Sequence, residues 1–379
     1  MREFMTTWLV PHSNLMDHLA VGINITSNGL ALRELCEAAA PCRSLALYIN
    51  QHLTPNRADL RDLAAVAGNL RDLNLVMPLY SPLHGFSAIS GLSQLTRLCM
   101  DNGVLPELPD PWALVAELKN LKSIFLAVTT RGDPSALSGL TGLTSLELVS
   151  RPKMTVDYLQ RGPFFNFSSL HPLSTLQELE VLRLEACCMA VTSLHGLAGL
   201  SKLQKLNLCN MLSLMSLQGA STAVTEMRIT EASGVKTLAE LGPLVSLERL
   251  SLSRCGITSL APPPKGLSKL KILVVSQCFG FRNTGLRCLS GIEELQALQE
   301  VTIDTCRISS LEPIGRLSNG LQKLWVRNCP GVQEEVLQLP YVQPTADVRL
   351  DGSNVQEVVL AGGTVVKCGK VRVPMGLPM

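Results

Sequence analysis

Four cysteines, Cys255, Cys278, Cys306 and Cys329, follow one another at intervals of 23, 28 and 23 residues. Thiols that a repeating backbone brings into one column could bind zinc or form disulfides. Zinc sites usually carry Cys-x-x-Cys pairs, and the chain has none. The column therefore reads as an interior ladder whose sulfurs run parallel rather than converge. The six histidines (His12, His18, His52, His84, His171, His195) are scattered, with no two at ligand spacing. No GxGxxG, GxxxxGK, GxSxG or HExxH is present, so the residue patterns for phosphate cradling, activated serine and zinc hydrolysis are missing. The sequence predicts no catalytic residue, no metal, no cofactor and no small-molecule substrate.

The chemistry that remains is recognition. Trp325 stands between Lys323 and Arg327 at alternate positions, and Trp with Arg is the composition of a binding hot spot. Phe125, Tyr48, Ile272 and Val274 occupy similar alternate positions, as do the cations Arg183, Lys205, Arg228 and Arg249. A second candidate is the stretch that holds Phe164, Phe165 and Phe167 beside Gly162-Pro163. These aromatics either fold back on the chain or serve as a plug for a partner.

A repeat must position these residues. The pattern LxxLxL, with Val, Ile, Met, Cys or Thr allowed in a Leu slot, starts at Met16, Cys42, Leu70, Leu95, Leu121, Leu143, Leu179, Leu203, Val224, Leu247, Leu270, Leu298, Leu321 and Thr345. The intervals are 21 to 28 residues, apart from 36 between Leu143 and Leu179, which marks an insertion at 151–170. Upstream of the strands the leucines continue every third residue, as in Leu194, Leu197, Leu200 and Leu203. A helical stripe alternates threes and fours, so this spacing predicts short 3-10 or irregular turns. The ninth residue of many repeats is Asn or Cys, from Asn24 and Asn50 to Cys187 and Cys329. A small hydrogen-bonding side chain suits the bend where the backbone leaves the strand.

The segments Leu247-Glu-Arg-Leu-Ser-Leu-Ser-Arg-Cys255 and Leu321-Gln-Lys-Leu-Trp-Val-Arg-Asn-Cys329 carry the signature LxxLxLxx followed by Asn or Cys, and the chain resembles the leucine-rich-repeat superfamily over about residues 16–353. Its short middle repeats resemble the phosphatase-regulator subclass. The 28-residue repeat with Cys278, Asn283, Gly285 and Leu286 is similar to the cysteine-containing repeats of F-box proteins. The resemblance implies an α/β solenoid with a parallel sheet on the concave side and short 3-10 or irregular convex segments. Residues 1–15 read as an N-terminal cap, and 354–379 as a C-terminal β-hairpin cap and tail.

Aromatics are only 4% of a chain that is 46% hydrophobic, which fits a core built from leucine. Lys+Arg 33 against Asp+Glu 31 gives +2, and the third, fifth and seventh positions of the repeats carry eight basic and nine acidic residues. So mixed a face favours a protein partner over a phosphate backbone, with RNA the less favoured alternative. Twelve cysteines, no secretory leader in Met1–Asn14 and no apolar run of membrane length point to a reducing intracellular compartment, cytoplasm or nucleus, with no membrane contact. The expectation is a non-enzymatic protein–protein interaction scaffold or subunit of a larger assembly. The alternatives are a regulatory subunit of an enzyme such as a phosphatase and a ribonucleoprotein component.

Overall fold

The computed structural model describes residues 22–25, 32–38, 42–49, 59–76, 85–103, 111–128, 134–150, 167, 169–188, 190–241, 244–261, 266–278, 285–318 and 320–368. The expected cap at 1–15, Phe164 and Phe165 with most of the insertion, and the tail beyond Cys368 lie outside these residues. The chain divides into two compact units, Met1–Val191 and Thr192–Met379.

In the first unit seven strands pair in parallel and in chain order: β1 (Gly22–Ile25), β2 (Ser44–Ile49), β3 (Asp72–Val76), β4 (Arg97–Gly103), β5 (Ser123–Val128), β6 (Ser145–Ser150) and β7 (Val181–Glu185). In the second unit the parallel order is β8 (Lys205–Cys209), β9 (Glu226–Thr230), β10 (Arg249–Ser253), β11 (Ile272–Ser276), β12 (Glu300–Asp304), β13 (Lys323–Arg327) and β15 (Asp347–Asp351). From β2 onward each of these strands begins two residues after a repeat start read from the sequence. The fold is a leucine-rich-repeat solenoid.

Alternation within the strands sorts the side chains. Fourth and sixth positions turn inward: Leu206 and Leu208, and likewise Leu250 and Leu252, are at most 1% exposed. The triplet leucines behave as their spacing predicts. Leu197 donates its N–H to the Leu194 carbonyl (2.9 Å), Leu200 to Leu197 (3.1 Å) and Leu203 to Leu200 (3.2 Å), the i to i+3 pattern of a 3-10 turn. Every third side chain then falls on the same side, and these four leucines are fully buried. Among the described residues three short α-helices interrupt the irregular pattern: α1 (Leu32–Ala38), α2 (Pro111–Ala116) and α3 (Glu312–Gly315). Pro111 at the first turn of α2 forfeits no helical hydrogen bond, and the next residue, Trp112, is buried at 1%.

The first rung runs two residues later than the Met16 start implies. Gly22 pairs with Ala46, a fifth position, and Asn24 lies opposite Tyr48 inside the strand rather than at the bend. Val21 fits either a fourth or a sixth slot, so the pattern alone left two registers. Pairing selects the one that sets Ile23 opposite Leu47.

A separate three-stranded sheet follows β13. Strand β14 (Val336–Gln338) pairs in parallel with β16 (Glu357–Val359), which pairs antiparallel with β17 (Val365–Lys367). The turn between β16 and β17 uses Gly362 (φ 72°) and Gly363 (φ 78°), left-handed conformations that cost glycine little. Leu337 faces inward while Val336 and Gln338 are exposed.

Strand β15 is less well covered than the rungs before it: Val348, its fourth-position residue, is half-buried where Leu324 on β13 is 0% exposed. Leu250→Ala is therefore expected to cost roughly 2–5 kcal/mol by urea denaturation and Val348→Ala under about 1.5 kcal/mol. Equal losses at the two sites would contradict this account of the packing.

Candidate interaction surface

Third, fifth and seventh positions of each repeat point away from the leucine core, and parallel pairing lines them up in rows. In the first unit Phe125 on β5 lies between Cys99 and Glu147 in the fifth-position row and is half-buried. Arg183 on β7 is neutralised, with Glu185 at 2.7 Å and Glu147 at 3.7 Å. Tyr48 is 45% exposed, whereas Ala127 and Val149 at seventh positions are buried (0% and 6%), so not every outward slot is open.

Phe167, expected in a displayed loop, is buried instead. Its side chain is 0% exposed and its N–H donates to the Cys187 carbonyl (2.9 Å). It enters the core just ahead of the leucine turn Leu170, Leu173 and Leu176, because burying a phenyl ring outweighs displaying it. Phe164 and Phe165 lie outside the described residues.

The second unit holds the denser constellation. Strand β13 sends Leu324 and Val326 inward and Trp325 outward. The indole is half-buried because cations cover it: Lys323 Nζ is 3.8 Å from the ring centroid, Arg327 Cζ 4.5 Å and Arg349 Cζ 4.7 Å. Each such contact contributes about 0.5–1 kcal/mol at an exposed site. The indole Nε1–H donates to Asp347 Oδ2 (2.9 Å) and Arg349 Nε donates to Asp347 Oδ1 (2.9 Å). The Arg349 hydrogen bond, aided by the indole N–H and nearby cations, holds the Asp347 carboxyl below its usual range. Lys323 is also 3.5 Å from Glu300.

Alternation alone counts Arg349 and Asp347 among the outward charges, eight basic and nine acidic, but only register brings them to Trp325. Trp325 pairs with Arg349, and Lys323 with Asp347, at identical repeat positions. Lys205, Arg228 and Arg249 lie on β8, β9 and β10 and are exposed. Among the described residues none of them has a carboxylate within 4.0 Å.

Just beyond the strands the backbone makes a left-handed step. Asn210, Glu231, Arg254, Gln277, Thr305 and Asn328 all have φ between 51° and 57°, and Gly352 occupies the same eighth position at 71°. The ninth residue then enters the core. Cys255 lies with its Sγ 3.5 Å from the Ile229 carbonyl and 3.4 Å from Ser253, and Cys278 and Cys306 repeat the arrangement one rung on. The sulfurs thus satisfy backbone acceptors separately. Burial pushes the Cys255 and Cys306 thiols up from 9.0 to about 12. His195 Nδ1 lies 3.0 Å from Ser193 Oγ, two residues apart in one turn, a local contact of the kind that orders turns.

Repeat, register and buried ladder together define a leucine-rich-repeat protein by fold. No protein-family model and no curated protein sequence matches the chain. Among solved structures, the TLR13–ssRNA13 complex aligns with a TM-score of 0.57 at 18% identity, over 92% of this chain and 51% of that one. An internalin of Listeria monocytogenes gives 0.48 at 19% identity, over 77% and 82% of the two chains. A leucine-rich-repeat protein of Leptospira interrogans gives 0.46 at 18%, over 92% and 93%. At these identities the likeness is one of fold. Among the described residues no helix is long and apolar enough to cross a membrane.

The ladder thiols are expected to resist a thiol reagent at pH 8 in the native protein, while the exposed Cys288 reacts and all twelve react after denaturation. Because folding raises these pKa values, their contribution to stability is whole below pH 9.0 and is lost as pH rises towards about 12. A denaturation midpoint that stays flat between pH 9 and pH 11 would refute the assignment.

Proposed function

We propose that this chain is a non-enzymatic protein–protein interaction scaffold, or a structural subunit of a larger intracellular assembly, and that it binds its partner through the outward strand face of the second unit. Trp325 carries the reading. A large indole directed away from the core, held by Lys323, Arg327 and Arg349 and anchored through Nε1 to Asp347, is a preorganised contact with little side-chain entropy left to lose. Trp and Arg dominate interface hot spots for this combination of apolar area and directed charge. Lys205, Arg228 and Arg249 extend the surface, with Arg183 and Phe125 the corresponding candidates in the first unit.

A protein partner suits the Trp325 cluster better than RNA. Phosphate binding needs cations free to displace counterions, yet Lys323 and Arg349 each already have a carboxylate partner, Glu300 and Asp347. The TLR13 structure contains single-stranded RNA, which makes nuclease sensitivity the control of choice.

The test is affinity purification of the full chain from native extract, with and without nuclease, followed by quantification of the co-purifying proteins. Those proteins are expected to survive nuclease and 200 mM salt, conditions that strip phosphate-driven binding. Trp325→Ala should weaken their recovery at least about tenfold, the scale of a hot-spot residue, and shift Tm little, because the ring is outside the core. Partners that vanish with nuclease would defeat the proposal, as would a Trp325→Ala protein that binds normally.

A further inference from the structure

Within the second unit the outward cations fall into two groups. Lys323, Arg327 and Arg349 are gathered by Trp325, and two of them have carboxylate partners. Lys205, Arg228 and Arg249 stand on three consecutive strands with none of these compensations among the described residues. Register places Glu226 between Lys205 and Arg249, and Arg228 between Asn207 and Ser251. Glu226 is the one acidic residue at the outward positions of β8, β9 and β10, and it forms no ion pair within 4.0 Å with either neighbour among the described residues. Three like charges on adjacent strands with one carboxylate among them leave an uncompensated field, which an incoming anion relieves.

The surface beside this patch changes character. Strand β11 presents Ile272 and Val274, both half-buried, at outward positions. Thr302 on β12 pairs with Val274 on one side and Trp325 on the other. Across the strands the face therefore runs from free cations, through two aliphatic side chains, to an indole. None of the outward residues of β8 to β12 is aromatic, so bases would find no stacking platform beside the cations. The carboxylate of Glu226 in their midst also disfavours a run of phosphates.

We propose that this face takes an extended partner segment that is acidic at one end and aliphatic at the other, with carboxylates over Lys205, Arg228 and Arg249 and apolar side chains over Ile272, Val274 and Trp325. The spacing supports it. Strands ~4.8 Å apart set Lys205 and Arg249 about 9.6 Å apart across the face. A polyproline II segment, with three residues per turn and a ~3.1 Å rise, returns a side chain to the same side every ~9.3 Å. Acidic residues three apart in such a segment meet both cations. From β8 to β13 the distance is about 24 Å, the length of roughly eight such residues.

This inference rests on the reading of the outward face as a binding surface, and its test is separable from that reading. A display library of random dodecapeptides is selected on the full-length protein, and the recovered peptides are synthesised. Asp and Glu are expected to gather at one end and Leu, Ile or Val at the other. The triple variant K205E/R228E/R249E should fold normally, since these side chains are exposed and unpaired, and should weaken the selected peptides about ten- to a hundredfold, with tighter binding at low salt for the parent. Val274→Asp should weaken them as well, independently of the cations. The proposal is overturned if no peptide is enriched, if the recovered sequences lack the acidic end, if charge reversal leaves affinity unchanged, or if poly(U) binds more tightly than the peptides. Should native partners still be lost on Trp325→Ala while the charge reversals have no effect, the binding face stands and its acidic ligand does not.

Discussion

Most rungs are tied to the next by one backbone carbonyl that accepts two amides at once. The Gln204 carbonyl receives the N–H groups of Thr225 (2.9 Å) and Glu226 (3.0 Å), and the Thr225 carbonyl receives those of Glu248 (2.8 Å) and Arg249 (3.0 Å). The same pair of bonds recurs at the second position of most rungs, including Arg71, Lys122 and Gln299. A doubled acceptor cannot slip by one residue without orphaning a buried amide, a loss of about 1–3 kcal/mol. Register is therefore held at the entrance of most strands. At the exit of β8 to β13 the eighth residue takes a left-handed conformation that costs a non-glycine residue about 1–2 kcal/mol. Its N–H still reaches the next rung, as Arg254 does to Ser276 (3.0 Å), so the ladder extends through the bend and offsets part of that cost.

Once both ends of a strand are fixed, the character of its surface follows. Identical positions stack on identical positions, so a charge on one strand feels chiefly its two row neighbours. The Trp325 cluster shows the compensated outcome, in which Arg349 and Lys323 each find an acid within one strand and the indole absorbs what remains. The stretch over β8 to β10 shows the opposite outcome. The net charge of +2 for the whole chain conceals this contrast, because the charge balance that matters is local to a row.

The repeats were legible because leucine columns leave a periodic trace that tolerates Val, Met or Cys in any slot. That tolerance also produced the error at β1, where Val21 satisfied two registers and only pairing with β2 separated them. The 3-10 turns were readable from the spacing of three, but α1, α2 and α3 were not, since each is shorter than the window in which a helical stripe shows itself. Strand β14 was missed because Val336-Leu337-Gln338 sits on a return path where the repeat allots no strand, and its partner β16 lies beyond the next rung. At the site, Trp325 was visible as an aromatic in an outward slot. Its cage was not, because Arg349 lies 24 residues away and becomes a neighbour only through the row. Phe167 misled for the converse reason: an aromatic in an insertion looks displayed until the core claims it.

Alternation also separates the demands of stability from those of binding. A fourth- or sixth-position side chain touches the rungs before and after it, so its loss is felt as a cavity in a stack of nearest-neighbour interfaces. An outward side chain whose only contact is a surface ion pair contributes roughly 0.2–1 kcal/mol, as between Arg97 and Asp72 at third positions, 64% and 34% exposed. Composition on the outward rows can therefore vary with little effect on folding, and an unbalanced run of charge there costs the fold almost nothing. The cost falls instead on solvation and self-repulsion, which a partner of opposite charge removes on binding. In such a fold an uncompensated row is informative, because the core gives no reason for it and the repeat has no need of it.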